Sequence, residues 1–121
     1  MKVIIAGSRN ISDYSLVVNA VKSSGYNITT VISGCAVGVD RLGEQWARAN
    51  NVPIIEMPAN WNRDGKKAGP IRNKEMALVA DAAVIIWDGE STGTRNMIDC
   101  MIKLKKPYHI GMTSSTLENF L

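Results

Sequence analysis

Histidine and cysteine are nearly missing from this chain of 121 residues, which carries one His and two Cys. Cys35 and Cys100 lie far apart with no C-x-x-C spacing, so neither a zinc site nor a disulfide framework is expected. They read as reduced intracellular thiols. Long apolar stretches are absent as well. The opening run in "MKVIIAGSRN" stops at Gly7, too soon for a signal peptide or a membrane span. A cytoplasmic protein without a membrane partner is therefore expected. Excess charge is also lacking: a net charge of +3 does not by itself imply nucleic-acid binding. Hydrophobic residues at 45% and charged residues at 21% are ordinary globular values. The length corresponds to one domain, residues 1–121, with no repeat or low-complexity tract.

Five short, β-branched apolar runs are present: Val3–Ala6, Thr30–Ser33, Pro53–Met57, Ala82–Trp87 and Pro107–Ile110. Their near-continuous hydrophobicity predicts strands covered on both faces. Helical patterns lie between them. Residues 13–24 place Leu16, Val17, Ala20 and Val21 on one stripe, with Ser12 or Asp13 as N-cap and Gly25 as stop. Residues 39–50 do the same with Val39, Leu42, Trp46 and Ala49. Residues 70–80 start at Pro70 and continue through Met76, Leu78 and Val79, and residues 94–105 carry Met97, Ile98, Met101 and Leu104. The alternation predicts an α/β fold: an open, mainly parallel five-stranded sheet with helices on both faces. Residues 58–69 read as a long loop of the kind that is often functional, and the tail "TSSTLENFL" as a short terminal turn.

Open α/β sheets bind ligands beyond the carboxyl ends of their strands. After the first strand come Gly7, Ser8 and Arg9; after the second, "SGCAVGVDR" supplies Ser33, Gly34, Gly38 and Asp40. After the fourth, "WDGESTGTRNM" supplies Asp88, Gly89, Ser91, Gly93 and Thr94, the last a candidate cap. Glycines let backbone N–H groups approach an anion, and a helix N-terminus adds partial positive charge. The long loop is basic, with Arg63, Lys66, Lys67, Arg72 and Lys74. Its Asn60-Trp61 pair could hydrogen-bond and stack on a base, and Gly65 and Gly69 would let it fold as a lid. Arg72 would pair with phosphate oxygens. "GKK" is not a Walker motif and "GSR" is not G-x-G-x-x-G, so neither P-loop nor ordinary dinucleotide-cofactor binding is supported. For acid–base work the candidates are Asp40, Glu44 and Asp88, the first two four residues apart on one helical face. His109 reads as structural, and Cys35 as a small filler. Turn and cap chemistry alone explains each glycine loop taken singly.

Taken in order, "GSRN", "SGCAVGVDRLGEQWA", "PANWNRDGKKAGPIRNKEM" and "DGESTGTRNMI" resemble the SLOG superfamily. That group includes the LOG nucleotide phosphoribohydrolases and the DNA-processing protein DprA. The chain is most similar to the YspA-like (YpsA-related) branch of small phage and bacterial proteins. The resemblance implies a Rossmann-like fold, a nucleotide or nucleotide-derived ligand, and a homo-oligomer, dimer or tetramer; from the residues themselves no metal or cofactor is expected. Arg72 matches the arginine of the LOG enzymes' R-K-x-x-M helix start, and Gly93-Thr94 matches their P-G-G-x-G-T-x-x-E turn. Three residues after Thr94, where their acid stands, this chain has Met97. A thioether cannot donate or accept the proton, so Asp40 or Glu44 would have to serve, with Arg72, in any N-glycosidic cleavage. Three functions are expected in descending order: ligand binding, LOG-like hydrolysis of a nucleoside monophosphate, and single-strand nucleic-acid binding like DprA.

Overall fold

The computed structural model describes residues 1–113; the expected turn in the tail lies outside them, apart from Thr113. Five strands form one sheet: β1 (Lys2–Gly7), β2 (Thr30–Ser33), β3 (Ile54–Glu56), β4 (Ala82–Trp87) and β5 (Tyr108–Met112). Its order is β3-β2-β1-β4-β5, and every pairing is parallel. The chain thus works outward from β1 to β3, crosses back, and resumes beside β1 at β4. β1 and β4 run in register from Val3 opposite Ala82 to Gly7 opposite Ile86. Both strands are buried almost throughout, which is why they read as unbroken apolar runs.

The helices are α1 (Tyr14–Ser24), α2 (Val39–Ala49), α3 (Trp61–Asp64), α4 (Ala68–Val79) and α5 (Thr92–Lys103). One core layer joins Val3, Ile5, Val31, Val84 and Ile86 of the sheet to Val17, Ala20 and Val21 of α1 and to Val39 and Ala47 of α2. On the opposite face Ile4, Ala6, Ile32 and Ile85 meet Met76 and Ala77 of α4 and Met97, Ile98 and Met101 of α5. Side chains that alternate along each strand therefore supply both layers. Asp13 caps α1, its carboxylate accepting from the Ser15 amide at 2.9 Å, and Gly25 ends it in the left-handed region at φ 70°.

Several sequence-level expectations need correction. Residues 58–69 are not an open loop: Asn60 accepts from the Arg63 amide to start α3, a 3-10 turn over Gly65–Lys67 follows, and α4 begins at Ala68, ahead of Pro70. The buried side of α2 holds Asp40, Gly43 and Glu44 with Val39 and Ala47, whereas Ala49 is exposed. Leu78, Val79 and Leu104 are exposed rather than core. Ser91, not Thr94, caps α5.

Candidate functional site

Where the strand order reverses, the connections leaving β1 and β4 turn to opposite faces of the sheet and open a crevice. A cleft of about 650 Å³ lies there. Gly7, Arg9 and Asn10 form its floor beyond β1, with Ala36 and Asp40 on the α2 side. Trp61, Lys66, Gly69, Pro70, Arg72 and Asn73 form a second wall, and Ser91–Thr94, Asn96 and Met97 a third. The first turns of α2, α4 and α5 all contribute residues, so the starts of three helices border the same space, with the Val39 amide of α2 donating to the Ser8 carbonyl and the Thr94 amide of α5 to the Ser91 hydroxyl.

Close approach of backbones makes this geometry possible. A Cβ on Gly7 would run into the Ile86 carbonyl oxygen and lie 2.8 Å from Val39 Cγ2. Gly38 has φ 80°, and a Cβ there would come within 2.6 Å of Arg9 Cα. Between them the Val39 amide donates to the Ser8 carbonyl at 3.3 Å, fastening the start of α2 to the end of β1. Ser8 itself is fully buried, its hydroxyl accepting from the Asp88 amide at 3.2 Å.

Arg72 is the best-anchored cation of the cleft. Its Nη1 donates to the Gly34 carbonyl at 2.5 Å and its Nε to Asn73 Oδ1 at 3.0 Å. Asn73 is 6% exposed and in turn donates to the Gly93 carbonyl at 3.2 Å and to Asn96 Oδ1 at 3.0 Å. One buried amide thus links the arginine of α4 to the first turn of α5. Asp40, 5% exposed, accepts from the Ala36 amide at 3.1 Å. Burial pushes its carboxyl up to about 6; that hydrogen bond and the positive charge of Arg72 only partly offset the effect. A carboxyl group poised near neutrality beside a guanidinium can hold or deliver a proton at physiological pH.

The structure brings Gly7, Arg9, Asp40, Trp61, Gly69, Arg72, Ser91, Gly93 and Thr94 to this one cleft. Gly34 borders a smaller adjoining lobe, and Gly38 lies just before α2, two residues ahead of Asp40. Other expected residues are engaged elsewhere. Glu44 is 1% exposed and accepts from Ser33 Oγ at 2.6 Å and from Arg41 and Arg48. Burial raises its proton affinity, but these donors outweigh it and hold the carboxyl below its usual range, fixing it as an ion pair outside the cleft. Ser33 is consumed by that bond. Asp88 accepts from the amides of Glu90 and Ser91 at 2.9 and 2.8 Å, a turn completed by Gly89 at φ 85°. Asn60 is used as the cap of α3, and Lys66 rather than Lys67 reaches the cleft. Asn10, Asn73 and Asn96 escape the sequence reading. For Asn73 a signal exists: three and four residues on, Met76 and Ala77 mark its position as inward-facing.

A model of the YspA, cpYpsA-related SLOG family (YAcAr) matches residues 1–63, from β1 into α3. The chain belongs to this family. Consistent with that membership, the Gene 61 protein of Mycobacterium phage D29 is 35% identical over 115 aligned residues, spanning 87% of this chain and 89% of the relative. No solved structure matches this family member significantly. Its fold is the α/β, Rossmann-like parallel sheet that the resemblance implied. Among the described residues, no helix is long and apolar enough to cross a membrane, and no group of three or more His, Cys, Asp or Glu could hold a metal ion.

Proposed function

We propose that this chain binds a nucleotide or nucleotide-derived small molecule in the cleft beyond β1 and β4. The observation that carries this reading is the Arg72 guanidinium, held by Gly34 and Asn73 in a space also bordered by Arg9, Lys66 and three helix N-termini. Such an arrangement neutralises phosphate oxygens without first ordering a side chain. Trp61, 52% exposed at the rim, offers a face for a base or sugar. Family membership supports a nucleotide-related ligand. Calorimetry against nucleoside mono- and diphosphates and their derivatives tests it. Arg72→Ala should lower affinity by about 1.5–3 kcal/mol, the worth of a charged hydrogen bond. Absence of heat at high micromolar ligand would refute the reading. Affinity that falls steeply with salt, and only for oligonucleotides, would replace it with single-strand binding.

One observation favours a hydrolytic second reading: Asp40 lines the same cleft with its carboxyl raised to about 6. N-glycosidic hydrolysis would break the bond from C1′ to the base, Asp40 passing its proton to the departing base while water supplies hydroxyl to C1′ and its remaining proton restores the Asp40 carboxyl. Met97, 1% exposed, stands where the LOG enzymes carry their acid, so Asp40 would act without that partner. Release of free base from a nucleoside monophosphate, abolished in Asp40→Asn, is the result this reading requires. We read the chain as one cytoplasmic domain that forms a homo-oligomer. Exposed Leu78, Val79 and Ile102 on the outer sides of α4 and α5 support self-association, which sedimentation velocity tests.

A further inference from the structure

One stretch at the rim of the cleft is tied to the rest of the molecule mainly at its ends. On one side the Met57 amide donates to the Ser33 carbonyl at 2.8 Å; on the other, fully buried Ala68 opens α4. Between these points neither α3 nor the turn over Gly65–Lys67 buries a residue. The bonds that shape the stretch are local. Asn60 accepts from the Arg63 amide at 3.1 Å on its side chain and from the Asp64 amide at 2.9 Å on its carbonyl. The Gly65 amide donates to the Trp61 carbonyl, and the Arg63 guanidinium donates to Asp64 at 2.7 Å. Among the described residues, no hydrogen bond joins Ala59–Asp64 to the sheet, to α2 or to α5. Ala59–Asp64 is thus a small body with its own internal bonds. Segments of this kind, short of buried contacts, lie at the low-stability end of a fold, from which lids are drawn.

Two glycines mark the connection from this body to α4. Gly65 holds φ 59° and ψ −135°, a backbone conformation that other residues rarely adopt, although a Cβ there would meet nothing within 4 Å. Backbone geometry rather than crowding therefore calls for glycine at this point. At Gly69 the atom nearest to an added Cβ is Trp61 Cη2 at 3.7 Å, so the indole rests against bare helix backbone with no side chain in its path. Trp61 is the one large apolar group of the body, half exposed, and its ring borders both the cleft and the smaller lobe. We propose that Ala59–Asp64 is a hinged flap that turns on Gly65 and lays the Trp61 indole over an occupied cleft. Closure takes apolar ring surface out of water and breaks no hydrogen bond to the sheet, α2 or α5. The occupant tips the balance, because it supplies the surface on which the ring packs and so favours the closed state over the open one. The flap rests on the nucleotide-binding reading above for its occupant, and on the hinge geometry for its motion.

The test is fluorine NMR of the full chain labelled with fluorotryptophan, read in light and heavy water, free and with AMP or ADP. Trp46, Trp61 and Trp87 each give a resonance, and the one missing from Trp61→Phe belongs to the flap. In the free chain the Trp61 signal should show the largest solvent isotope shift of the three, since Trp46 and Trp87 are half-buried. With saturating nucleotide it should lose more than half of that shift. Gly65→Ala should retain the shift while nucleotide still moves the amides of Gly7–Asn10, because the substitution alters the hinge and not the cleft. Gly25→Ala imposes comparable left-handed strain, at φ 70°, on the end of α1, where an added Cβ likewise meets no atom. That variant should close as the native chain does, which separates hinge action from a general loss of stability. An isotope shift at Trp61 that nucleotide leaves unchanged, while the Gly7–Asn10 amides move, overturns the flap and leaves the nucleotide reading standing. A Gly65→Ala chain that closes like the native one does the same. Absence of any nucleotide-dependent change, in fluorine or amide signals, overturns both.

Discussion

Replacing Asp40 by asparagine should make the protein more stable at neutral pH. An aspartate of ordinary pKa 3.8 is raised here to about 6, chiefly by burial. Between those pH values the folded state holds this proton more tightly than the unfolded chain does. The contribution of Asp40 to stability is therefore greatest below about pH 4 and declines as pH rises to about 6, above which the buried carboxylate is a constant penalty. A rise from 3.8 to about 6 corresponds to about 3 kcal/mol. The amide side chain of the variant can still accept from the Ala36 amide but loses the attraction to Arg72, so the net gain at pH 7–8 should be about 1–3 kcal/mol. Urea unfolding of both proteins from pH 4 to 8 measures this. Glu44, Asp64 and Asp88, all held below their usual range, titrate in both proteins and cancel in the difference. The stability of the native chain minus that of the variant should fall by up to about 3 kcal/mol across the interval. A flat difference, or a variant less stable at pH 8, would refute the reasoning that burial governs Asp40.

Two glycine substitutions should separate packing from binding. In Gly7→Ala the new methyl meets the immovable Ile86 carbonyl oxygen, so a loss of about 3 kcal/mol or more, the top of the overpacking range, is expected by thermal denaturation. In Gly34→Ala it comes within 2.5 Å of Arg72 Nη1 and 2.8 Å of Asp40 Oδ2, and the flexible guanidinium gives way. Stability should then fall by less than about 2 kcal/mol, while nucleotide affinity drops as far as in Arg72→Ala. Removing the α5 cap with Ser91→Ala should cost about 0.5–2 kcal/mol in urea titrations.

The central strands were legible because burial on both faces leaves continuous β-branched runs, and the run Ala82–Trp87 coincides with β4 to the residue. The edge strands β3 and β5 are more exposed than the expected cover on both faces, with Ile55 and Tyr108 open to solvent. Helix α3 was not, since four residues, Trp61–Asp64, are too few and too polar to show a period. The glycines and Arg72 were legible at the site because turn chemistry and a fixed cation announce themselves in sequence. Polar residues were harder to assign. Ser8, Ser33, Glu44 and Asp88 have the composition of a site, but their hydrogen bonds are spent elsewhere: the Ser8 hydroxyl accepts from the Asp88 amide, Ser33 donates to the Glu44 carboxylate, Glu44 also accepts from Arg41 and Arg48, and Asp88 accepts from the Glu90 and Ser91 amides. Asn73 carries only the inward-facing signal of Met76 and Ala77, and Asn96 carries none. Only the packing of α4 beside α5 brings their amides together.

The most direct test of the account is amide-resolved NMR of the ¹⁵N-labelled chain titrated with ADP-ribose or AMP. Saturable shifts should concentrate at Gly7–Asn10, Gly34–Gly38 and Ser91–Thr94, weaken in Arg72→Ala, and leave the amino-terminal ends of β1 and β4 unmoved. Shifts confined to that opposite edge of the sheet, or none at millimolar nucleotide, would contradict a nucleotide site at the carboxyl rim.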